Sequence, residues 1–105
     1  MSQPFIDSNI VLYLLSGDAI KADRAEVLLE AGGVISVQVL NVVASVCQRK
    51  LKMSWEEIEM LLMALKSACN VLPLTVVSHE KAVEVAKRFR LSIYDANIVA
   101  SALLS

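Results

Sequence analysis

Twice in this chain a short apolar run ends on a polar residue able to start a helix. Pro4-Phe5-Ile6 leads into Asp7, and Val34-Ile35 leads into Ser36. A third β-branched run, Val71-Leu-Pro-Leu-Thr-Val76, follows Asn70. Between these runs lie longer stretches with helical spacing, so strands and helices alternate. That order suggests parallel strands joined by helical crossovers, an α/β sandwich with a short parallel sheet flanked by helices. Pro73 lacks a backbone donor, so the third strand belongs at an edge or must place Pro73 where no ladder bond is required.

The helices are marked by their ends. Asn9 to Leu15 reads as a short helix stopping near Ser16-Gly17. Asp18 caps the next one, where Ala22, Ala25, Leu28 and Leu29 share a face and Gly32-Gly33 ends it. Ser36 caps a helix over roughly 37 to 52, with Gln38, Asn41, Ser45, Gln48, Arg49 and Lys52 on one polar stripe. Ser54 and Glu57 have capping-box spacing and open a helix to about Ala68. Ser78 is expected to cap the stretch beginning at Glu80, with His79 a surface residue at the helix start. Ser92-Ile93-Tyr94-Asp95 repeats the capping-box pattern before the last helix.

At 105 residues the chain is long enough for one domain, read as residues 1–105, and too short for two ordinary ones. Hydrophobic residues make up 56% of it, yet no run approaches the roughly 18 apolar residues of a membrane-spanning helix. The N-terminus has no secretory pattern, so the expected location is cytoplasmic, away from membranes. Cys47 and Cys69 sit among apolar neighbours without metal-ligand spacing and read as buried, reduced thiols. A formal net charge of -1 lacks the basic excess of proteins that grip nucleic acid mainly through phosphates, so any such role must come from a local site.

Two acids are candidates for chemistry. Asp7 follows a strand directly, and ligands of parallel sheets bind at strand carboxyl ends; it is equally placed to cap the helix after it. Asp95 is placed as a cap partner of Ser92, but at about 100° per residue it projects with Ile98, Val99 and Ala102, while Asn97 and Ser101 point elsewhere. A carboxylate against apolar neighbours costs several kcal/mol unless paired or bound to a cation. If Asp7 and Asp95 converge, their repulsion calls for a divalent ion, and oxygen donors favour Mg²⁺ or Mn²⁺.

The order FIDSN, VISVQVLN, LPLTV and LSIYDANIVASAL resembles the PIN-domain family across essentially the whole chain, and is most similar to VapC-type toxins of bacterial toxin–antitoxin pairs. The resemblance implies a three-layer α/β sandwich and a metal-dependent endoribonuclease that cleaves RNA phosphodiesters. It implies that Asp7 is the first acid of a Mg²⁺ or Mn²⁺ site, Asn9 its supporting polar residue, and Asp95 the third acid. It also implies a cognate antitoxin that binds and silences the toxin.

Two departures shape the expectation. Val42 stands where the family motif continues from VQVLN to Glu. The chain also stops at Ser105, before the strand that in relatives carries a fourth acidic position, so the fold is expected to be shortened at its C-terminus. With two acids left, catalysis is expected to be weak or absent, since each lost group of this kind costs some 10² to 10³ in rate. The missing strand would leave an edge beside residues 4–6 open, which invites self-association or a partner. A non-catalytic interaction module or remnant of the same fold is the alternative. A third reading is a small helical packing protein in which Asp7 and Asp95 are only caps.

Overall fold

The computed structural model describes residues 4–104; Met1–Gln3 and Ser105, the outermost residues of the expected domain, lie outside them. Their centre is a three-residue strand, β1 (Val34–Ser36), which is buried throughout. It pairs in parallel with β2 (Asn70–Leu72), matching Val34 to Asn70, Ile35 to Val71 and Ser36 to Leu72. On its other side β1 holds the Pro4–Ile6 segment through one parallel bridge, Phe5 to Val34. Val34 N–H donates to the Pro4 carbonyl and its own carbonyl accepts from Ile6 N–H, both at 2.8 Å. The expected first strand is therefore reduced to a bridge, and the expected third one to three residues. β2 ends where Pro73 cannot donate.

Among the described residues six helices surround this sheet: α1 (Ser8–Tyr13), α2 (Ala19–Glu30), α3 (Val37–Arg49), α4 (Trp55–Ala68), α5 (Val76–Phe89) and α6 (Ile93–Leu104). Their starts follow local chemistry. Asp18 accepts from the N–H groups of Ile20 and Lys21, and Ser36 from that of Val39. Ser54 and Glu57 exchange both bonds of a capping box. At α5 the cap is Thr75 rather than Ser78: Thr75 Oγ1 accepts from Ser78 N–H at 3.0 Å, and Ser78 Oγ accepts from Thr75 N–H at 2.8 Å. Ser78 is thus the third residue of a helix that begins two residues before it, and His79 is exposed within that helix.

α3 is the helix the others share. Its Val39, Val43 and Cys47, spaced four apart, are fully buried and join Val11, Ile35 and Ile58 in the main core. Removing side chains of this size from water is worth about 1.5–3 kcal/mol each. Ala25 and Leu29 turn α2 inward as expected, but Leu28 is exposed because the inward stripe of α2 is narrower than its apolar content. Cys47 and Cys69 are buried and unbridged, and burial pushes both thiols above their ordinary range.

α5 and α6 form a pair with a small cluster of their own, Ala82 and Val85 against Ala96 and Ala100. The reversal between them runs through Arg90, whose φ of 56° puts it in the left-handed region, and Leu91 N–H closes onto the Ala86 carbonyl. α6 also packs on α3 and sends Ile98 into the main core, so it joins the two clusters.

Gly33 decides how closely Pro4–Ile6 can lie against β1. A Cβ there would stand 2.5 Å from Ile6 Cδ1 and 2.9 Å from the Pro4 carbonyl oxygen. Gly33→Ala is expected to push this segment off β1 and destabilise the fold by about 1–3 kcal/mol, the usual range for overpacking, measurable by urea unfolding. A second expectation concerns acid. The Ser54 bonds hold Glu57 below its usual range. The capping box therefore stabilises fully above the unfolded Glu pKa and is lost as pH falls through the depressed folded value. Unfolding of Glu57→Gln followed between pH 6 and 3 should lose this component of the pH dependence.

Candidate functional site

The bridge at Phe5 delivers Asp7 to the start of α1, one residue beyond the buried Ile6. Asp7 occupies the N-cap position, yet its side chain makes no capping bond. Instead, the hydroxyl of Ser8 donates to Asp7 Oδ1 at 3.3 Å. The carboxylate is exposed to solvent rather than spent on the helix.

Asp95 has a similar history. Ser92 Oγ accepts from Asp95 N–H at 3.1 Å, which is half of a capping box. The return bond, from Ser92 N–H to the carboxylate, is absent among the described residues. At the same pattern in α4, Glu57 makes that bond at 3.0 Å. The shorter Asp side chain is left pointing outward and exposed. Among the described residues the ion pair present is Lys81 with Glu84, within α5, so neither candidate acid is neutralised by a cation.

The two acids share a cleft of about 570 Å³. Asp7 and Asn9 line one wall of it; Asp95, Ile98, Val99 and Ala102 line the other, with Phe5 at the base of the first. The face of α6 read from its periodicity is thus the face that meets Asp7. The strand bridge sets one wall, and the Arg90 reversal with the α5 packing sets the other. Of the two residues expected to point elsewhere, Ser101 is buried and does not line this cleft, and its Oγ lacks a hydrogen-bond partner among the described residues.

Asp95 also borders a second cleft of about 690 Å³, between α3 and the start of α6. Val42 lines it, together with Gln38, Asn41, Ser45 and Arg49 from the same helix, and Tyr94 beside Asp95. Position 42 therefore faces the Asp95 region, but the valine is half-buried and packs against the core, with no atom able to bind a cation. The polar stripe of α3 was legible as a stripe. That Gln38 within it is 6% exposed, and that Tyr94 belongs to the same cleft, depends on how α6 crosses α3.

The donors available for a divalent ion are two unpaired carboxylates and the Asn9 amide. These are hard oxygen ligands, and Mg²⁺ accepts one or two carboxylates when water and substrate phosphate complete its shell. The set fits such an ion in kind. It is sparse in number, since among the described residues no three His, Cys, Asp or Glu side chains gather to hold a metal. Softer metals have no thiol or imidazole here, because both cysteines are buried in the core and His79 lies on α5.

The PIN domain model matches residues 5–105. Among solved structures, a chain from a toxin–antitoxin complex of Klebsiella pneumoniae superposes with a TM-score of 0.71 at 26% identity, covering 96% of this chain and 78% of that one. No curated protein sequence matches significantly. Within α1, the uncommitted side chain of Asp7 has a measurable consequence. Asp7→Ala should change unfolding free energy by less than about 0.5 kcal/mol. Asp18→Ala, which removes a working cap, should cost about 1 kcal/mol in the same denaturation series.

Proposed function

Because this chain belongs to the PIN domain family, we propose that it is a VapC-type toxin, a metal-dependent endoribonuclease hydrolysing RNA phosphodiesters, with activity weakened by the valine at position 42. The observation that carries the proposal is the convergence of Asp7, Asn9 and Asp95 on one cleft, with neither acid engaged in a cap bond or ion pair. Two like charges left free and facing one cavity favour a cation between them.

In this reading Asp7 and Asp95 hold Mg²⁺ or Mn²⁺, and Asn9 supports by its amide oxygen. The ion, when bound, lowers the pKa of a water and stabilises charge developing on the phosphate. Asp7 stays in place because β1 grips the segment before it. Asp95 stays in place because α6 is packed on both α3 and α5. Val42 withholds a further carboxylate from the Asp95 side, which lowers cation affinity and the precision with which a phosphate is held.

The partner we assign is a cognate antitoxin, as the toxin–antitoxin neighbour suggests. Exposed Val27, Trp55, Met60 and Met63 supply apolar surface of the kind that partners cover. Self-association has separate support: Phe5 N–H and C=O face away from β1 and make no bond among the described residues, an open edge that a second chain can use. No described helix is long and apolar enough to cross a membrane.

A second reading, a non-catalytic module of this fold, is favoured by one observation, the absence among the described residues of a three-acid group. Titration calorimetry with Mn²⁺ and an RNA cleavage assay separate the two. The nuclease reading expects Mn²⁺ binding lost in Asp7→Ala and Asp95→Ala, with cleavage falling by about 10² or more in each. Val42→Glu should tighten Mn²⁺ binding by about tenfold, the scale of one added supporting group. If the unmodified chain takes up no Mn²⁺ and cleaves no RNA, the module reading stands instead.

A further inference from the structure

Five of the six helices among the described residues begin under a side-chain cap. Asp18, Ser36, Ser54, Thr75 and Ser92 each accept from a backbone N–H two or three residues on. α1 is the exception, although aspartate is among the best cap residues and Asp7 stands at the cap position. The N–H groups of Ser8 and Asn9 consequently donate to no described residue.

Backbone conformation does not account for this. Asp7 has φ -76° and ψ 155°, and Ser54, which caps α4, has φ -70° and ψ 158°. Solvation does not account for it either, since Asp18 is exposed as well and still caps α2. The difference lies in the neighbour. Ser8 is 6% exposed, and its one side-chain hydrogen bond among the described residues is the donation to Asp7 Oδ1 at 3.3 Å. If the carboxylate turned to cap α1, this hydroxyl would lose its acceptor. Leaving a buried polar group unpaired costs as much as a cap bond returns, or more.

Resting on the metal-dependent reading above, we infer that Ser8 is a positioning residue: its hydroxyl withholds the Asp7 carboxylate from the α1 cap and keeps it available to the cleft shared with Asn9 and Asp95. Ser8 does not itself meet a cation there. It acts through Asp7 Oδ1, because a hydrogen bond to one oxygen of a short, two-torsion side chain fixes where the other oxygen points, as partners of metal-ligating carboxylates do. α1 goes without its cap. The helix is held instead by its fully buried Val11 in the main core and by the bridged segment that precedes it.

A double-mutant cycle tests the withholding without any metal: urea unfolding in EDTA compares Asp7→Ala in two backgrounds. With Ser8 present, the substitution should change the folding constant by less than about twofold. In Ser8→Ala the carboxylate is free to cap, so adding Asp7→Ala should then lower the folding constant about fivefold, the ordinary loss for a helix cap. Ser8→Thr keeps the hydroxyl and should restore the flat response. Titration calorimetry with Mn²⁺ gives a readout that helix stability alone does not move. Ser8→Ala should weaken Mn²⁺ binding about tenfold, and Ser8→Thr should not.

Equal effects of Asp7→Ala in both backgrounds overturn the inference, whether or not Mn²⁺ binds. So does Mn²⁺ binding by the unmodified chain that Ser8→Ala leaves unchanged. The metal reading fails separately. If the unmodified chain takes up no Mn²⁺ while the cycle shows the fivefold difference, Ser8 governs Asp7 and the cation site falls. If Mn²⁺ binds through Asp7 and Asp95 while the cycle is flat, the cation site stands and the role of Ser8 falls.

Discussion

The backbone of Val34 carries more of this structure than its size suggests. Its N–H and C=O hold the Pro4–Ile6 segment, and the strand it opens pairs on its other side with β2. With so few ladder bonds, the sheet cannot be stable by itself, and helix packing must supply what hydrogen bonding does not. Gly33 makes the arrangement possible by leaving space for Ile6. Asp7 is placed by that contact, since it follows Ile6 and begins α1.

The opposite wall depends on a different device. A left-handed residue at Arg90 turns the chain back so that α6 lies on α5, with alanines at 82, 96 and 100 allowing close approach. Ile98 then anchors α6 in the main core, and the remaining apolar side chains of α6 are left facing the cleft or solvent. The two acids come from separate supports, α1 and α6, each of which packs on α3. Precision at such a site rests on the rigidity of those supports, and each is a short element held by buried aliphatic contacts.

Membership in the PIN domain family agrees with the α/β order read from the chain, and the helices and their parallel sheet match the expected class. The caps at Asp18, Ser36 and Ser54 were readable because capping is a local exchange between a side chain and backbone groups two or three residues away. The same local logic misplaced the start of α5. Both Thr75 and Ser78 can cap, and the choice fell to Thr75 because β2 stops before Pro73 and the helix begins at once. The apolar face of α6 was also readable, since its period is set by the helix itself.

By itself, the sequence determined where helices begin, which faces are apolar, and that Asp7 and Asp95 are acids in unusual company. These follow from contacts within a turn or two of the chain. Only the tertiary structure decided that Asp7, Asn9 and Asp95 share a cleft, that neither acid is used up as a cap, and that Gln38, though largely buried, lines a second cleft together with Tyr94. Those outcomes depend on residues about ninety positions apart being brought together through β1 and α3. Periodicity says which way a side chain faces on its own helix, whereas the packing of several helices decides what it faces.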